Sequence, residues 1–170
     1  ARQAAHAAMA EDYGNPSSIH STGLRARALI DEVRARARRV LDAPTGRLLF
    51  TSGATEVIRT AVLSALVALR GRRERGEAIP PLLLYGATEH KAVPESLRHW
   101  NALLALGLQV QAIPVGRDGR HDLAWLRERA AQAGLVCTMA ANNETGVISD
   151  LDGIADALAA SPALWLVDRS

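Results

Sequence analysis

Arg47-Leu48-Leu49-Phe50-Thr51-Ser52-Gly53-Ala54-Thr55-Glu56 joins a short apolar run to a stretch, Val57 to Leu69, whose apolar residues recur at helical spacing. The spacing predicts the end of a buried strand, a glycine-containing turn and a helix. Such a turn leaves several backbone N–H groups without intrahelical partners, at the positive end of the helix dipole. With the hydroxyls of Ser52 and Thr55 beside them, these donors suit an anion, and a phosphate monoester is the natural occupant. Ser and Thr also cap helices for structural reasons alone, so the turn by itself leaves both readings open.

Working outward, the same alternation continues. Alanine-rich residues 1–11 predict a helix, Tyr13 to Ser18 an irregular turn, and Leu24 to Leu41 a second helix capped by Ser21 or Thr22. Its apolar face is Leu24, Ala28, Val33, Ala37, Val40 and Leu41. Asp42 to Gly46 breaks the chain before the strand ending at Phe50. The helix after the turn is expected to end near Arg70-Gly71, with a charged loop over 72–77. Leu82 to Tyr85, Gln109 to Val115, Leu135 to Met139 and Leu164 to Val167 read as strands. Helices are expected over 94–106 and 123–133, and another starting at Asp150 or Asp152. Buried, non-alternating strands interleaved with helices predict an α/β fold: a three-layer sandwich around a mostly parallel sheet.

Composition agrees. Of 170 residues, 48% are hydrophobic and only 4% aromatic, so Ala, Leu and Val must form the core. The formal net charge is +2, and arginines scattered among acidic residues form a solvated surface, not a nucleic-acid stripe. The single cysteine, Cys137, lies in an apolar strand, which reads as a small buried hydrophobe and a reducing compartment. No run has the length and purity of a membrane span and no signal peptide is evident, so a cytoplasmic protein with no nucleic-acid or membrane partner is expected. No metal site is read from the sequence.

Ligands of parallel sheets bind beyond the carboxyl ends of the strands. Polar residues stand at four such ends: Ser52 to Thr55, Glu89-His90, Asn142-Asn143-Glu144 and Asp168.

Tyr13-Gly14-Asn15-Pro16-Ser17-Ser18-Ile19-His20, Phe50 to Glu56, Glu89-His90-Lys91-Ala92-Val93, Ala141 to Gly146 and Val167-Asp168 resemble, in order and spacing, motifs of the cysteine desulfurases. These belong to the class V aminotransferase group of pyridoxal-phosphate enzymes, of fold type I. The resemblance implies that Ala54 and Thr55 bind the cofactor phosphate. It implies that His90 stacks on the pyridine ring and serves in proton transfer, jobs that a flat imidazole suits. Asn143 would hydrogen-bond the phenolic oxygen, and Asp168 would keep the pyridine nitrogen protonated. Asn142 and Glu144 are expected to shape their loop. The chain departs from the family pattern at Val57-Ile58-Arg59, where polar residues are usual, and at Arg169, where a small residue is usual.

The implied reaction converts L-cysteine to L-alanine and leaves the sulfur on an enzyme cysteine as a persulfide. An acceptor then takes it for iron–sulfur clusters, thiolated tRNA or cofactors. A homodimer is implied as well. Selenocysteine lyases, other class V aminotransferases and non-catalytic relatives share much of the pattern. The only lysine, Lys91, matches the residue after the stacking histidine, not the Schiff-base lysine. That lysine, the reactive cysteine, the substrate-binding arginine and the small C-terminal domain have no counterpart among these residues. Residues 1–170 are therefore expected to be part of the large cofactor-binding domain, roughly the first half of a longer enzyme.

Overall fold

A computed structural model describes residues 2–11 and 13–169, so Ala1, the first residue of the expected N-terminal helix, lies outside the described residues. The chain forms two compact units, Ala1–Phe50 and Thr51–Ser170.

In the first unit, α1 (Arg2–Glu11) buries none of its residues, and α2 (Ser21–Val40) buries only Gly23 and Ala26. Leu24, Val33, Val40 and Leu41, the expected apolar face of α2, are exposed, because no element of this unit packs on them. The capping residue is His20, not Ser21 or Thr22: its Nδ1 accepts the Gly23 N–H at 3.2 Å. The preceding turn is fastened to the helix by Arg27 Nε, which donates to the Pro16 carbonyl at 2.8 Å. Gly23 lies so close to this turn that a Cβ would stand 2.6 Å from the Ser18 carbonyl oxygen.

Arg47 to Phe50 is not a strand, contrary to the sequence pattern; Leu49 is 73% exposed and Phe50 58%. A strand exists only through ladder hydrogen bonds to a neighbour, and this segment belongs to no ladder.

The second unit contains α3 (Ala54–Glu74), β1 (Leu82–Gly86), α4 (Ala92–Leu103), β2 (Gln109–Ile113), α5 (Leu123–Arg129), a 3₁₀ turn over Ala130–Gln132, β3 (Ala133–Met139), α6 (Leu151–Leu158) and β4 (Leu164–Asp168). The four strands are all parallel, in the order β2-β1-β3-β4. Alternate strand residues feed two cores. Leu83, Leu135 and Cys137 pack with Ile58, Val62, Leu66 and Leu69 of α3 and Val93 and Leu97 of α4. Leu82, Leu84, Ile113 and Val136 pack on the other face with Leu126 of α5 and Ile154 and Ala157 of α6. The expected three layers are therefore present, with β3 wholly buried between them.

Boundaries differ from the pattern at several ends: β2 stops at Ile113, not Val115, α4 spans Ala92–Leu103, not 94–106, and α5 stops at Arg129, not at residue 133. α3 runs through Gly71 to Glu74 before Gly76 turns with φ +80°, so half of the expected charged loop is helix. Its last turn is held by Arg73, which donates to the carbonyls of Ala105 (3.0 Å) and Leu106 (3.1 Å). β3 starts two residues earlier than expected, and its register against β1 shifts at Gly134, where a Cβ would lie 3.0 Å from Leu69 Cδ1. That contact also orients α3. Its C-terminal half lies by the start of β3, so its N-terminus points toward the carboxyl ends of the strands.

Candidate functional site

β1 has β2 on one side and β3 on the other, so successive connections depart in opposite directions and the loops after β1 and β3 part over a crevice. A cavity of about 510 Å³ lies there, lined by Thr88, Glu89, His90 and Lys91 from the first loop and Asn142 and Asn143 from the second.

The two loops are joined. Asn142 Nδ2 donates to the Thr88 carbonyl at 2.8 Å, and its Oδ1 accepts the N–H groups of Glu144 and Thr145, both at 2.9 Å. Asn142 thus spends its amide on loop shape and leaves Asn143 exposed on the rim. His90 is exposed too, and its Nδ1 accepts the Ala92 N–H at 3.2 Å. This bond fixes the ring at the start of α4, where His90 lines the cavity. Lys91, the residue before that helix, is exposed.

Asp168 ends β4 and is only 7% exposed. It is registered against Met139, and its carbonyl accepts the Ala140 N–H at 2.7 Å, so it stands where β3 enters the crevice loop. Glu89 joins the same floor: its Oε1 accepts the Met139 N–H at 2.5 Å. Burial raises the Glu89 carboxyl to about 7, with the Met139 N–H pulling it down and the charge of Asp168 pushing it up. The sequence motif contained Glu89 but gave it no role.

At the N-terminus of α3, the first intrahelical bond runs from Val57 N–H to the Gly53 carbonyl at 3.2 Å, and no side chain caps the helix. The N–H groups of Ala54 and Thr55 precede that bond, and a Cβ on Gly53 would meet nothing within 4 Å. The expected convergence of both hydroxyls is corrected, however. Ser52 Oγ and N–H both donate to Glu56 Oε2, at 2.5 and 2.6 Å, which holds the Glu56 carboxyl below its usual range. An internal carboxylate takes Ser52, leaving Ala54 and Thr55 as the open donors.

These residues fit pyridoxal phosphate. Open helix N–H groups suit its phosphate, a buried carboxylate its ring nitrogen, an imidazole its ring face and an amide its phenolic oxygen. Cys137 is fully buried, which pushes its thiol up and removes it from any nucleophilic role. Among the described residues, no three His, Cys, Asp or Glu side chains are grouped to hold a metal ion, and no helix is long and apolar enough to cross a membrane.

A cysteine desulfurase of Cereibacter sphaeroides is 36% identical to this chain over 162 residues, 94% of the chain and 39% of that protein. Cysteine desulfurase IscS 1 of Archaeoglobus fulgidus is 34% identical over 157 residues, 92% of the chain and 38% of that protein. The crystal structure of DndA from Streptomyces lividans superposes with a TM-score of 0.76 at 33% identity, covering 95% of this chain and 43% of that one. The chain thus spans about two fifths of the length of the curated relatives it matches. The family model for aminotransferase class-V matches residues 2–170, and the chain belongs to that family.

Proposed function

We propose that this chain is the cofactor-binding part of a pyridoxal-phosphate enzyme of the cysteine desulfurase type. The observation that carries the reading is the gathering of His90, Asn143 and the buried Asp168 at the carboxyl ends of three neighbouring parallel strands, with the uncapped N-terminus of α3 directed to the same end. The names of the relatives give the reaction type.

In this reading, the Ala54 and Thr55 N–H groups hold the phosphate, and the helix dipole favours its charge. Asp168, shielded from water at the end of β4, meets the ring nitrogen. Asn143 donates its amide to the phenolic oxygen without competing for a proton. His90, with Nδ1 anchored by Ala92, presents its ring to the cofactor face and carries protons at Nε2. Pyridoxal phosphate, when bound, supplies an electron sink for the amino acid's Cα. The substrate is L-cysteine, released as L-alanine after its sulfur passes to an enzyme cysteine as a persulfide. A homodimer, a sulfur-acceptor protein and a cytoplasmic setting complete the proposal.

The test is turnover by the complete protein, supplied with pyridoxal phosphate and L-cysteine. Alanine and reductant-releasable sulfide in equal amounts are expected. A keto acid formed only with an amino acceptor would overturn the desulfurase reading in favour of aminotransfer.

A further inference from the structure

His121 belongs to no motif of the sequence, yet it lies against Gly86, the last residue of the strand before Glu89. It is placed by the turn between β2 and α5, which closes through an isolated bridge between Val115 and His121, with Gly116 N–H donating to the Arg120 carbonyl and Asp122 N–H to the Pro114 carbonyl, both at 2.8 Å. The imidazole then lies against the backbone of Gly86. A Cβ there would stand 2.3 Å from His121 Nε2 and 3.0 Å from Glu89 Oε1. Only a glycine at the end of β1 leaves room for an imidazole and a carboxylate on one side of the strand.

On these two residues, three buried polar atoms have no hydrogen-bond partner among the described residues: Glu89 Oε2 and both ring nitrogens of His121. Buried polar atoms left unsatisfied are costly, and a carboxylic acid and an imidazole are complementary as donor and acceptor. His121 also lines a second cavity, of about 450 Å³, at the end of β2, with Asp118, Arg120, Asp122 and Asp150.

We propose that Glu89 and His121 act as one buried acid–base pair holding a single proton beside Gly86, with His121 the positioning residue through which that proton exchanges with the cavity at the end of β2. Burial favours the neutral form of both partners: it raises the Glu89 carboxyl and lowers the His121 imidazole, which places the proton on Glu89. In exchange, the carboxyl passes its proton to one ring nitrogen while the other nitrogen releases one to water. The imidazole is neutral before and after, in the opposite tautomer, and the charge remains on Glu89. The groups facing Glu89 are Asp168 and Cys137; those sharing the cavity with His121 are Asp118, Arg120, Asp122 and Asp150. Resting on the proposed cofactor site, the pair has a use there: a neutral Glu89 spares Asp168 a second negative charge beside it.

The experiment is a pH titration of the complete, cofactor-free protein, labelled with ¹³C in the glutamate carboxyls and ¹⁵N in the histidines. Glu89→Gln assigns the Glu89 signal and His121→Gln the His121 signals. The Glu89 carboxyl and the His121 nitrogens are expected to respond with a common midpoint. Glu89→Gln is expected to abolish that His121 response, and His121→Gln to move the Glu89 midpoint by about one pH unit. His121 nitrogens that stay flat through the Glu89 titration would overturn the pair, a comparison that needs only wild type and Glu89→Gln. So would an unmoved Glu89 midpoint in His121→Gln. Neither readout involves cofactor or turnover, so failure here leaves the cofactor assignment standing, and the reverse also holds.

Discussion

Glu89 Oε1 accepts the backbone N–H of Met139 at 2.5 Å, across 50 residues of sequence. This bond ties the turn after β1 to the last residue of β3 and draws an acidic side chain into the floor on which Asp168 stands. The crevice is therefore not merely a gap between two loops; its base is a hydrogen-bonded seam.

The position of Glu89 gives stability a pH dependence of defined sign. Its folded carboxyl, at about 7, lies above the ordinary value of 4.5. Below the ordinary value both folded and unfolded chains carry the proton, and the contribution is fully present. It is lost as pH rises from there through about 7, by on the order of 3 kcal/mol. Glu89→Gln keeps the acceptor for Met139 and removes the titration. Thermal unfolding from about pH 5 to about pH 8 is expected to show a smaller fall in Tm for the variant than for wild type.

Gly86 is a site where a single methyl group does harm. Gly86→Ala drives a Cβ into His121 Nε2, and a loss of about 1–3 kcal/mol is expected in denaturant unfolding. Adding His121→Ala should recover much of that loss. A double-mutant cycle with no coupling would mean that the two residues do not touch.

Asn142 holds two loops with one side chain. Asn142→Ala removes one donor and one shared acceptor, leaving the Thr88 carbonyl and the Glu144 and Thr145 N–H groups to find other partners. A destabilisation of about 1–3 kcal/mol is expected, with faster amide hydrogen exchange at Glu144 and Thr145.

For the complete enzyme, His90→Ala is expected to retain cofactor, measured by absorbance, and to lower turnover on the order of a hundredfold or more. Asp168→Asn keeps the shape of the buried side chain but loses its charge. It is expected to weaken cofactor binding in an absorbance titration, and an unchanged affinity would remove Asp168 from the ring-nitrogen role.

Much was legible in the order of residues. Leu82 to Tyr85 is an uninterrupted apolar run and Leu135 to Met139 is broken only by Thr138; such runs form strands buried on both faces because no side of them tolerates water. Asp150 precedes an amphipathic stretch and caps α6, its Oδ1 accepting the Gly153 N–H at 2.9 Å. These are local rules, satisfied within a few residues. That His90, Asn143 and Asp168 stand at one edge was likewise visible, since the first two lie in the turns after β1 and β3, the third closes β4, and parallel strands share one carboxyl edge.

What required the tertiary structure is whatever depends on a neighbour distant in sequence. Arg47 to Phe50 has the composition of a strand and is none, because a strand is a property of two segments. The expected apolar face of α2 is exposed because no element of its unit covers it. Glu89 and His121 carry no periodic or motif signal for one another. Their common place beside Gly86 is decided by parallel pairing of β1 with β2, by the turn that returns His121 to the sheet, and by the missing side chain of Gly86. Sequence alone determined the alternating α/β pattern and the polar strand ends, because hydrophobic period and helix capping act locally. Only the tertiary structure decided the shared floor, because burial and hydrogen-bond partnership arise between elements that the chain brings together from far apart.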